Sequence, residues 1–303
     1  MELGMIGTGR MGSNMAQRLL DGGHSVMVYD PVPAAMTTVV ARGARPATSI
    51  ADLASKLGVP RVVWLMVPSG RPTEETLLTL ANELSQDDIV IDGGNSYYKD
   101  SVRRAAAMDE RGIRFLDAGT SGGIWGLKEG YCLMVGGSRE AYQQVEPILR
   151  TLAPTPDDGY GYVGPSGAGH FVKMVHNGIE YGLMQSYAEG FELMDAKREF
   201  GLDLHRVAEI WRYGSVVRSW LLDLAASALR DDPKLQSLDA YIEDTGEGRW
   251  TVQESVELGV PAPVITLSLQ ARFRSRENQP LGNKMLAAFR QQFGGHAVRK
   301  AQP

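Results

Sequence analysis

The first part of the chain alternates short apolar runs with stretches in which apolar residues recur every three or four positions. The apolar runs include residues 3–6, 61–67 and 89–91, and their length is typical of buried strands in a parallel sheet. The stretches between them, such as residues 13–20 and 73–84, have helical spacing. This alternation predicts an α/β domain with a doubly wound, mostly parallel sheet.

From Gly164 onward the alternation stops and only helical spacing remains. The predicted helices lie at residues 167–198, 204–213, 217–229, 235–241, 252–258, 263–275 and 280–292. We therefore predict two domains, an α/β domain at residues 1–163 and an all-α domain at residues 164–303. The first helix of the all-α domain would lie at the junction of the two.

A glycine motif follows the first predicted strand directly. The sequence GTGRMG has the G-x-G-x-x-G spacing, and a predicted helix begins immediately after it. Glycines at these positions allow a tight turn, close approach to a pyrophosphate and close packing of the helix on the strand. The motif therefore predicts a Rossmann domain that binds a dinucleotide through Gly7, Thr8, Gly9, Arg10, Met11 and Gly12.

Asp30 stands at the end of the second predicted strand, where a Rossmann domain meets the adenosine ribose. Its carboxylate can accept hydrogen bonds from the ribose hydroxyls and repels a 2′-phosphate. This position favours NAD over NADP as the cofactor. The alternative is that Asp30 only forms a turn before Pro31.

Three later loops also follow predicted strands. Val67 and Pro68 are expected on the cofactor side, and Asn95 is a candidate ligand contact, because parallel sheets bind ligands at the carboxyl ends of their strands. Residues 119–123, with the sequence GTSGG, offer small side chains and bare amides that suit a carboxylate. A plain flexible turn explains that run equally well.

Residues 167–182, with the sequence GAGHFVKMVHNGIEYG, predict a glycine-opened helix with polar side chains along one face. Counted from Lys173, the residues at i+3, i+4, i+7 and i+8 are His176, Asn177, Glu180 and Tyr181. A lysine and a glutamate two turns apart in a cleft could serve as an acid/base pair. Such spacing also suits a solvated helix face, but the mixture of His, Asn and Tyr with one Lys and one Glu favours a site. The apolar positions expected to pack this helix are Phe171, Val172, Met174, Val175 and Ile179.

The composition narrows the classes of protein that the chain can belong to. With 303 residues, of which 43% are hydrophobic and 22% charged, it is typical of a soluble globular protein. A net charge of -5 argues against nucleic acid or an anionic membrane as partner, so we expect small molecules and further copies of the chain. The single cysteine, Cys132, lies in an apolar run and is predicted to be packed and inert. No metal site, signal peptide or membrane span is expected, which indicates a cytoplasmic protein.

With these motifs the chain resembles the 6-phosphogluconate dehydrogenases of the wider β-hydroxyacid dehydrogenase family, and in particular their short bacterial NAD-type form. The segments that carry the resemblance are GTGRMG at 7–12, GGNS at 93–96, TSGG at 120–123, GAGHFVKMVHNGIEYG at 167–182 and FGGH at 293–296. The most selective of them is the Lys-x-x-His-Asn-x-x-Glu-Tyr set that begins at Lys173.

The resemblance implies oxidative decarboxylation of 6-phosphogluconate to ribulose 5-phosphate and CO2 with reduction of NAD, a reaction of the pentose phosphate pathway. Lys173 would accept the proton of the 3-hydroxyl group, and Glu180 would protonate C1 of the enediol that remains after CO2 has left. At the start of the reaction this requires a neutral lysine and a protonated glutamic acid, the opposite of their free states near pH 7.

The resemblance also implies how the substrate is bound. The implied contacts are Ser121, Gly122 and Gly123 for the carboxylate, Asn95, His176 and Asn177 for the hydroxyls or the nicotinamide, and Tyr181, Arg272, Arg290 and His296 for the phosphate. In the family the last Arg and His come from a neighbouring subunit, which implies a homodimer or homotetramer. For Arg272, simple surface solvation is an equally good alternative.

The chain departs from the longer members of the family at three positions. Thr245 stands where they carry a phosphate-binding lysine, so that charge is missing or is supplied by Arg249. Ile124 replaces an acid, and Asp30 replaces an Asn-Arg pair that favours NADP.

Two rival functions are open at this point. A dehydrogenase of another β-hydroxy acid, such as 3-hydroxyisobutyrate, would share Lys173 and Asn177 but needs neither Glu180 nor a phosphate site. A non-catalytic NAD-binding scaffold is a third possibility, against which the intact Lys173 and Glu180 argue.

Overall fold

A computed structural model of the chain describes residues 1–278 and 280–294. The chain divides into two compact units, Met1–Asn177 and a second that begins at Gly178. The domain limits predicted from the sequence, residues 1–163 and 164–303, stay a prediction.

The first unit contains one eight-stranded sheet with the strand order β3-β2-β1-β4-β5-β6-β7-β8. The strands are β1 (Glu2–Ile6), β2 (Ser25–Tyr29), β3 (Arg45–Pro46), β4 (Val62–Leu65), β5 (Ile89–Asp92), β6 (Arg114–Ser121), β7 (Cys132–Gly137) and β8 (Tyr160–Gly164). All neighbouring strands are parallel except β6 and β7, which are antiparallel. The predicted doubly wound, mostly parallel sheet is confirmed.

Helices cover both faces of this sheet because successive side chains of each strand point to opposite sides. The helices are α1 (Arg10–Asp21), α2 (Thr37–Ala41), α3 (Ile50–Lys56), α4 (Arg71–Glu83), α5 (Tyr98–Asp109), α6 (Gly126–Glu129) and α7 (Arg139–Leu152). In β4, Val62 and Trp64 belong to one buried apolar cluster, whereas Val63 and Leu65 belong to the other. Because both faces of β4 are buried, all four of its residues are apolar and form a continuous run in the sequence.

The later part of the chain is helical, as predicted. Its helices are α8 (Ala168–Ala196), which begins in the first unit, and α9 (Leu204–Trp211), α10 (Trp220–Asp231), α11 (Glu247–Glu257), α12 (Pro263–Ser275) and α13 (Leu281–Gly294). Side-chain caps begin two of them: Asp203 accepts the N–H of Arg206, and Ser219 accepts the N–H of Leu222. No helix in the described ranges is long and apolar enough to cross a membrane.

The helix predicted at residues 235–241 is wrong, because this segment forms turns and bends. Leu235 has a φ of +49°, a left-handed conformation that a right-handed helix does not contain. The carboxylate of Asp232 also accepts the backbone N–H of Ser237 at 2.9 Å and its hydroxyl at 2.8 Å. These side-chain contacts compete with helical hydrogen bonds, which apolar spacing alone does not reveal.

Candidate active site

The glycine motif forms the predicted turn between β1 and α1. Gly7 has a φ of +91° and donates its N–H to the carbonyl oxygen of Tyr29 at 2.9 Å. A Cβ at Gly12 would lie 2.0 Å from the carbonyl oxygen of Gly7, so only glycine allows α1 to begin this close to β1. Gly9 precedes α1 and has no side chain to cap it, which leaves the first-turn amides of the helix for an anionic ligand.

Space is available for that ligand beside Gly9. A Cβ built on this residue would have no contact within 4 Å among the described residues. The loop therefore has both the bare backbone and the open volume that a pyrophosphate requires. Thr8, Arg10 and Met11, the other predicted cofactor contacts, lie in the same turn and the first turn of α1.

The carboxylate of Asp30 is fixed beside this turn. Its Oδ2 accepts the N–H of Thr8 at 2.8 Å, and its Oδ1 accepts the N–H of Val32 at 2.9 Å. The contact with Val32 forms the turn that was the alternative role of Asp30 in the sequence. Since a carboxylate oxygen can accept more than one hydrogen bond, Asp30 can form the turn and still accept a ribose hydroxyl.

The loops that follow β4 and β5 lie at the same edge of the sheet, because both strands are parallel to β1. Val67 is half-buried, whereas Pro68 and Asn95 are exposed. A Cβ at Gly93 would lie 2.2 Å from Nε1 of Trp64, so glycine lets the second loop lie directly against β4. All three predicted contacts are therefore on one edge, near the glycine turn.

A buried ionic network holds the loop that carries Asn95. Asp92 is fully buried and accepts the hydroxyl of Ser96 at 2.7 Å and Nη1 of Arg104 at 3.1 Å. Arg104 in turn donates through Nε to Glu74 at 2.9 Å. This network was not predicted from the sequence, although a charged residue at the end of an apolar strand is the signal that could have revealed it.

Alternate residues of β6 form the surface on which α8 begins. Asp117 is fully buried and accepts the N–H of Gly167 at 2.7 Å and the N–H of His170 at 2.8 Å. Two residues along the strand, a Cβ at Gly119 would lie 2.4 Å from Cβ of Lys173. Asp117 of strand β6 thus caps α8, and Gly119 of the same strand leaves room for Lys173, the candidate base.

The predicted loop at residues 119–123 needs correction. Gly119, Thr120 and Ser121 belong to β6, because they pair with Met134, Leu133 and Cys132 of the antiparallel strand β7. The turn itself begins at Gly122 and Gly123, whose φ values are +123° and +52°. Ser121 therefore ends a strand on the same face as Asp117 and Gly119, rather than lying in a flexible loop.

Lys173 is buried, with 8% of its surface exposed. Its Nζ donates to Oδ1 of Asn177, and Nδ1 of His176 lies 3.1 Å from the same oxygen. The structure therefore brings three members of the predicted polar face into contact. Glu180 and Tyr181 follow two turns later on α8.

The apolar packing predicted for this helix is partly wrong. Met174 is buried, and Phe171 and Val175 are half-buried, but 36% of Val172 and 53% of Ile179 are exposed. The side of α8 that packs against β6 is the side that carries Lys173. Apolar residues were expected to make this packing contact, but the polar side of the helix makes it. The close approach that Gly119 permits is the reason.

Cys132 is exposed, so its predicted burial is also wrong. It is the first residue of β7 and lies opposite Ser121. Desolvation by the surrounding protein nevertheless raises the pKa of the thiol, and the charge of Lys173 partly opposes this rise. A raised pKa keeps the thiol protonated and agrees with an unreactive cysteine.

In the second unit, Tyr181 is buried between an arginine and a glycine. The Cζ atom of Arg272 lies 3.5 Å from the centroid of the Tyr181 ring, and a Cβ at Gly248 would lie 2.4 Å from its Cε2. Arg272 also donates through Nη1 to the carbonyl oxygen of Glu243 at 2.9 Å. A half-buried, stacked guanidinium is not the simple solvated side chain that was the alternative.

The two remaining predicted phosphate contacts are at the end of the chain. The backbone of Arg290 lies in α13, but its side chain and the whole of His296 lie outside the described residues.

A cavity of about 420 Å³ lies in the second unit, close in sequence to Thr245. It is lined by Tyr241, Glu243, Asp244, Thr245, Gly246, Arg249 and Arg276. Asp244 lies between the two arginines, whose hydrogen bonds lower the pKa of its carboxyl to about 2. Arg249 was a candidate here from the sequence, whereas Asp244 and Arg276 were not predicted.

Comparison with known proteins identifies the family. Residues 2–164 match the family model for the NAD binding domain of 6-phosphogluconate dehydrogenase, and residues 169–301 match that for the 6-phosphogluconate dehydrogenase C-terminal domain. The chain belongs to the 6-phosphogluconate dehydrogenase family. The resemblance found in the sequence is thereby confirmed.

Individual members of the 6-phosphogluconate dehydrogenase family agree with this assignment. The chain is 46% identical over 301 residues to the NAD(+)-dependent, decarboxylating 6-phosphogluconate dehydrogenase of Haloferax volcanii, with 99% of both chains covered. The solved 6-phosphogluconate dehydrogenase of Plasmodium falciparum has a TM-score of 0.84 and 28% identity, covering 100% of this chain and 67% of that one. The 3-hydroxyisobutyrate dehydrogenase of Mycobacterium tuberculosis shares the fold, with a TM-score of 0.73, 21% identity and coverage of 91% and 94%.

Proposed function

We propose that this protein oxidises and decarboxylates 6-phosphogluconate to ribulose 5-phosphate and CO2, with NAD as the cofactor. The observation that carries the proposal is the buried Lys173, which lies over Gly119 on the strand that ends at Ser121 and contacts Asn177. A base that is fixed beside a strand end suits proton removal from a bound hydroxy acid. Full-length similarity to an NAD(+)-dependent, decarboxylating relative supports the same reaction.

The first unit supplies the cofactor site. The glycine turn from Gly7 to Gly12 would hold the pyrophosphate, and Asp30 would accept hydrogen bonds from the adenosine ribose. The negative charge of Asp30 disfavours a 2′-phosphate, which supports NAD over NADP. Val67, Pro68 and Asn95 would contact the cofactor from the neighbouring strand ends. When bound in this site, NAD would supply the acceptor for the hydride from C3 of the substrate.

Lys173 would carry the proton transfers at the 3-oxygen. In its neutral form it accepts the proton of the 3-hydroxyl, and it returns a proton to the resulting carbonyl oxygen as CO2 leaves. Asn177 would position the Nζ atom of Lys173, since that atom donates a hydrogen bond to Oδ1 of Asn177. Glu180 would then protonate C1 of the enediol while the enediol hydroxyl at the former 3-oxygen gives its proton back to Lys173, and ribulose 5-phosphate results.

The remaining predicted residues would bind the substrate. The proposed contacts are Ser121, Gly122 and Gly123 for the carboxylate, Asn95, His176 and Asn177 for the hydroxyls, and Tyr181, Arg272, Arg290 and His296 for the phosphate. The close stacking of Arg272 on Tyr181 supports a shared role for these two residues.

We also propose that the protein is a homodimer or homotetramer that works in the cytoplasm. The helical unit exposes large apolar side chains, among them Leu193 at 73% and Trp220 at 50%, which a second copy of the chain could cover. Light scattering coupled to size-exclusion chromatography tests the subunit number, and a monomeric mass would contradict the proposal.

The experiment that tests the activity is the initial rate of NADH formation with 6-phosphogluconate. Parallel reactions contain gluconate, 3-hydroxyisobutyrate, or NADP in place of NAD, and released CO2 is measured. We expect activity with 6-phosphogluconate and NAD, together with CO2. Activity with only an unphosphorylated acid would instead identify a dehydrogenase of another β-hydroxy acid.

A further inference from the structure

We propose that Arg276, together with Arg249, binds the substrate phosphate in the cavity beside Thr245, and that Asp244 positions both arginines. This inference rests on the proposed function, because it assigns residues to the phosphate of the same substrate. It is carried by the cavity and by the side chains that line it.

The first observation is the arrangement of two cations around one buried anion. Asp244, whose side chain is 4% exposed, accepts Nε of Arg249 and Nη2 of Arg276, each at 2.6 Å. Arg249 adds a second bond from Nη2 at 3.0 Å. Glu243 also lines the cavity, so the two arginines balance the two carboxylates of the lining, and an anion would be held by the directed N–H donors of the arginines.

The second observation is that both guanidinium groups are already fixed. Arg276 donates through Nε to the carbonyl oxygen of Ile242 at 2.8 Å, and Cζ of Arg249 lies 4.3 Å from the centroid of the Phe273 ring. None of these contacts uses Nη1 of either arginine. Each residue can therefore offer a further N–H donor to a phosphate without first being ordered, and less conformational entropy is lost on binding.

Asp244 keeps this arrangement through the neutral pH range. Its pKa of about 2 means that the carboxylate stays ionised and paired at any pH at which the enzyme would work. A neutral residue in its place would remove the charge that pairs with both arginines. Asp244 is thus a positioning residue, which would act on the phosphate only through Arg249 and Arg276.

The third observation links the cavity to the other proposed phosphate contacts. Arg272 stacks on Tyr181 and donates to the carbonyl oxygen of Glu243, the residue that precedes Asp244. Arg249 of α11, Arg272 of α12 and Arg276, which directly follows α12, therefore converge on residues 242–244. Thr245 is uncharged and lines the cavity together with Arg276, so the cations of this lining are its arginines.

The test compares Arg276→Gln with Arg274→Gln, a matched control two residues earlier in the chain, in the last turn of α12. Arg274 is exposed and pairs with Glu277, outside the cavity lining. We expect Arg276→Gln to raise the KM for 6-phosphogluconate about tenfold or more, the loss typical of a hydrogen bond between charged groups. The KM for NAD should not change. Inorganic phosphate should inhibit the wild type competitively and inhibit Arg276→Gln less, whereas Arg274→Gln should behave as wild type.

The outcomes separate the two proposals. A wild-type protein without 6-phosphogluconate activity contradicts the proposed function itself. An active wild type whose KM is equal in Arg276→Gln and Arg274→Gln overturns the role of Arg276. If Arg276→Gln does not unfold cooperatively, Arg276→Lys is measured instead. A raised KM for 6-phosphogluconate in Arg276→Lys supports the proposal, and a KM equal to that of the wild type overturns the proposal.

Asp244→Asn tests the positioning role. We expect a higher KM for 6-phosphogluconate, because the arginines lose the anion that holds them. A lower KM would show that Asp244 only repels the phosphate, and it would overturn this part of the proposal.

Discussion

Asp117 accepts the backbone N–H of His170 at 2.8 Å and so ties the first turn of α8 to strand β6. The same carboxylate accepts the N–H of Gly167 at 2.7 Å. Lys173 lies less than one turn after His170, so the position of the proposed base depends on a residue that is far from it in sequence.

Asp117→Asn should lower both stability and turnover. An asparagine can accept only one of the two backbone N–H groups, because its amide nitrogen is itself a donor and would face the second. One buried hydrogen bond to a carboxylate is therefore lost, at a cost of about 2 kcal/mol. Urea unfolding and kcat with 6-phosphogluconate measure the two effects. Asp109→Asn, at an exposed position that ends α5, is the control and should leave both unchanged. Wild-type stability in Asp117→Asn would contradict the capping role.

Gly119→Ala should displace the base without affecting the cofactor site. The new methyl group would lie 2.4 Å from Cβ of Lys173 and 2.6 Å from the carbonyl oxygen of Gly169, so α8 must move. A displacement of about 1 Å typically costs on the order of a hundredfold in turnover. The measurements are kcat and the Kd for NAD, and we expect only kcat to change.

The control for that variant is Gly190→Ala on the same helix. A Cβ at Gly190 has no contact within 4 Å among the described residues. Alanine also stabilises a helix interior by about 1 kcal/mol relative to glycine. We expect this variant to be active and at least as stable as the wild type. Equal kcat values for the two alanine variants would refute the steric argument.

Lys173→Met should abolish hydride transfer while NAD still binds. Removal of a general base typically costs about a hundredfold to ten-thousandfold in rate. Single-turnover formation of NADH and a fluorescence titration with NAD distinguish catalysis from binding. Near-normal NADH formation would show that Lys173 is not the base.

Asp30→Asn should narrow the preference for NAD over NADP. The amide can still accept the N–H of Thr8, but it loses the charge that repels a 2′-phosphate and one acceptor oxygen for the ribose. We expect the ratio of the kcat/KM values for NAD and NADP to fall about tenfold. An unchanged ratio would mean that Asp30 serves only the turn at Val32.

Asp244 should make stability depend on pH in the acid range. Its pKa is lowered from 3.8 to about 2, so its ion pairs stabilise the fold above the unfolded pKa and are lost as pH falls through the folded one. The difference corresponds to at most about 2 kcal/mol at neutral pH, because Arg249 is half-exposed and solvent screens its charge. Urea unfolding from about pH 6 down to about pH 2 should therefore show wild type and Asp244→Asn converging as the carboxyl protonates. A constant difference across that range would disprove the linkage.

The sequence by itself determined the features that depend on neighbouring residues. The glycine spacing from Gly7 to Gly12 implies a tight turn because only glycine adopts the required backbone, and Asp30 follows at the end of the next strand. The face of α8 that carries Lys173, His176 and Asn177 follows from the helical repeat. Such local rules were sufficient for the fold class, and the resemblance of the motifs to known sequences indicated the family.

Only the tertiary structure decided which distant segments meet. The pairing of β6 with β7 turned Ser121 from a loop residue into a strand residue, and the cap on Gly167 comes from Asp117, 50 residues away. Arg276 reaches Asp244 across 32 residues. These contacts arise from packing and burial, whose partners are not encoded in any spacing along the chain, so periodicity could predict the elements but not the groups that they bring together.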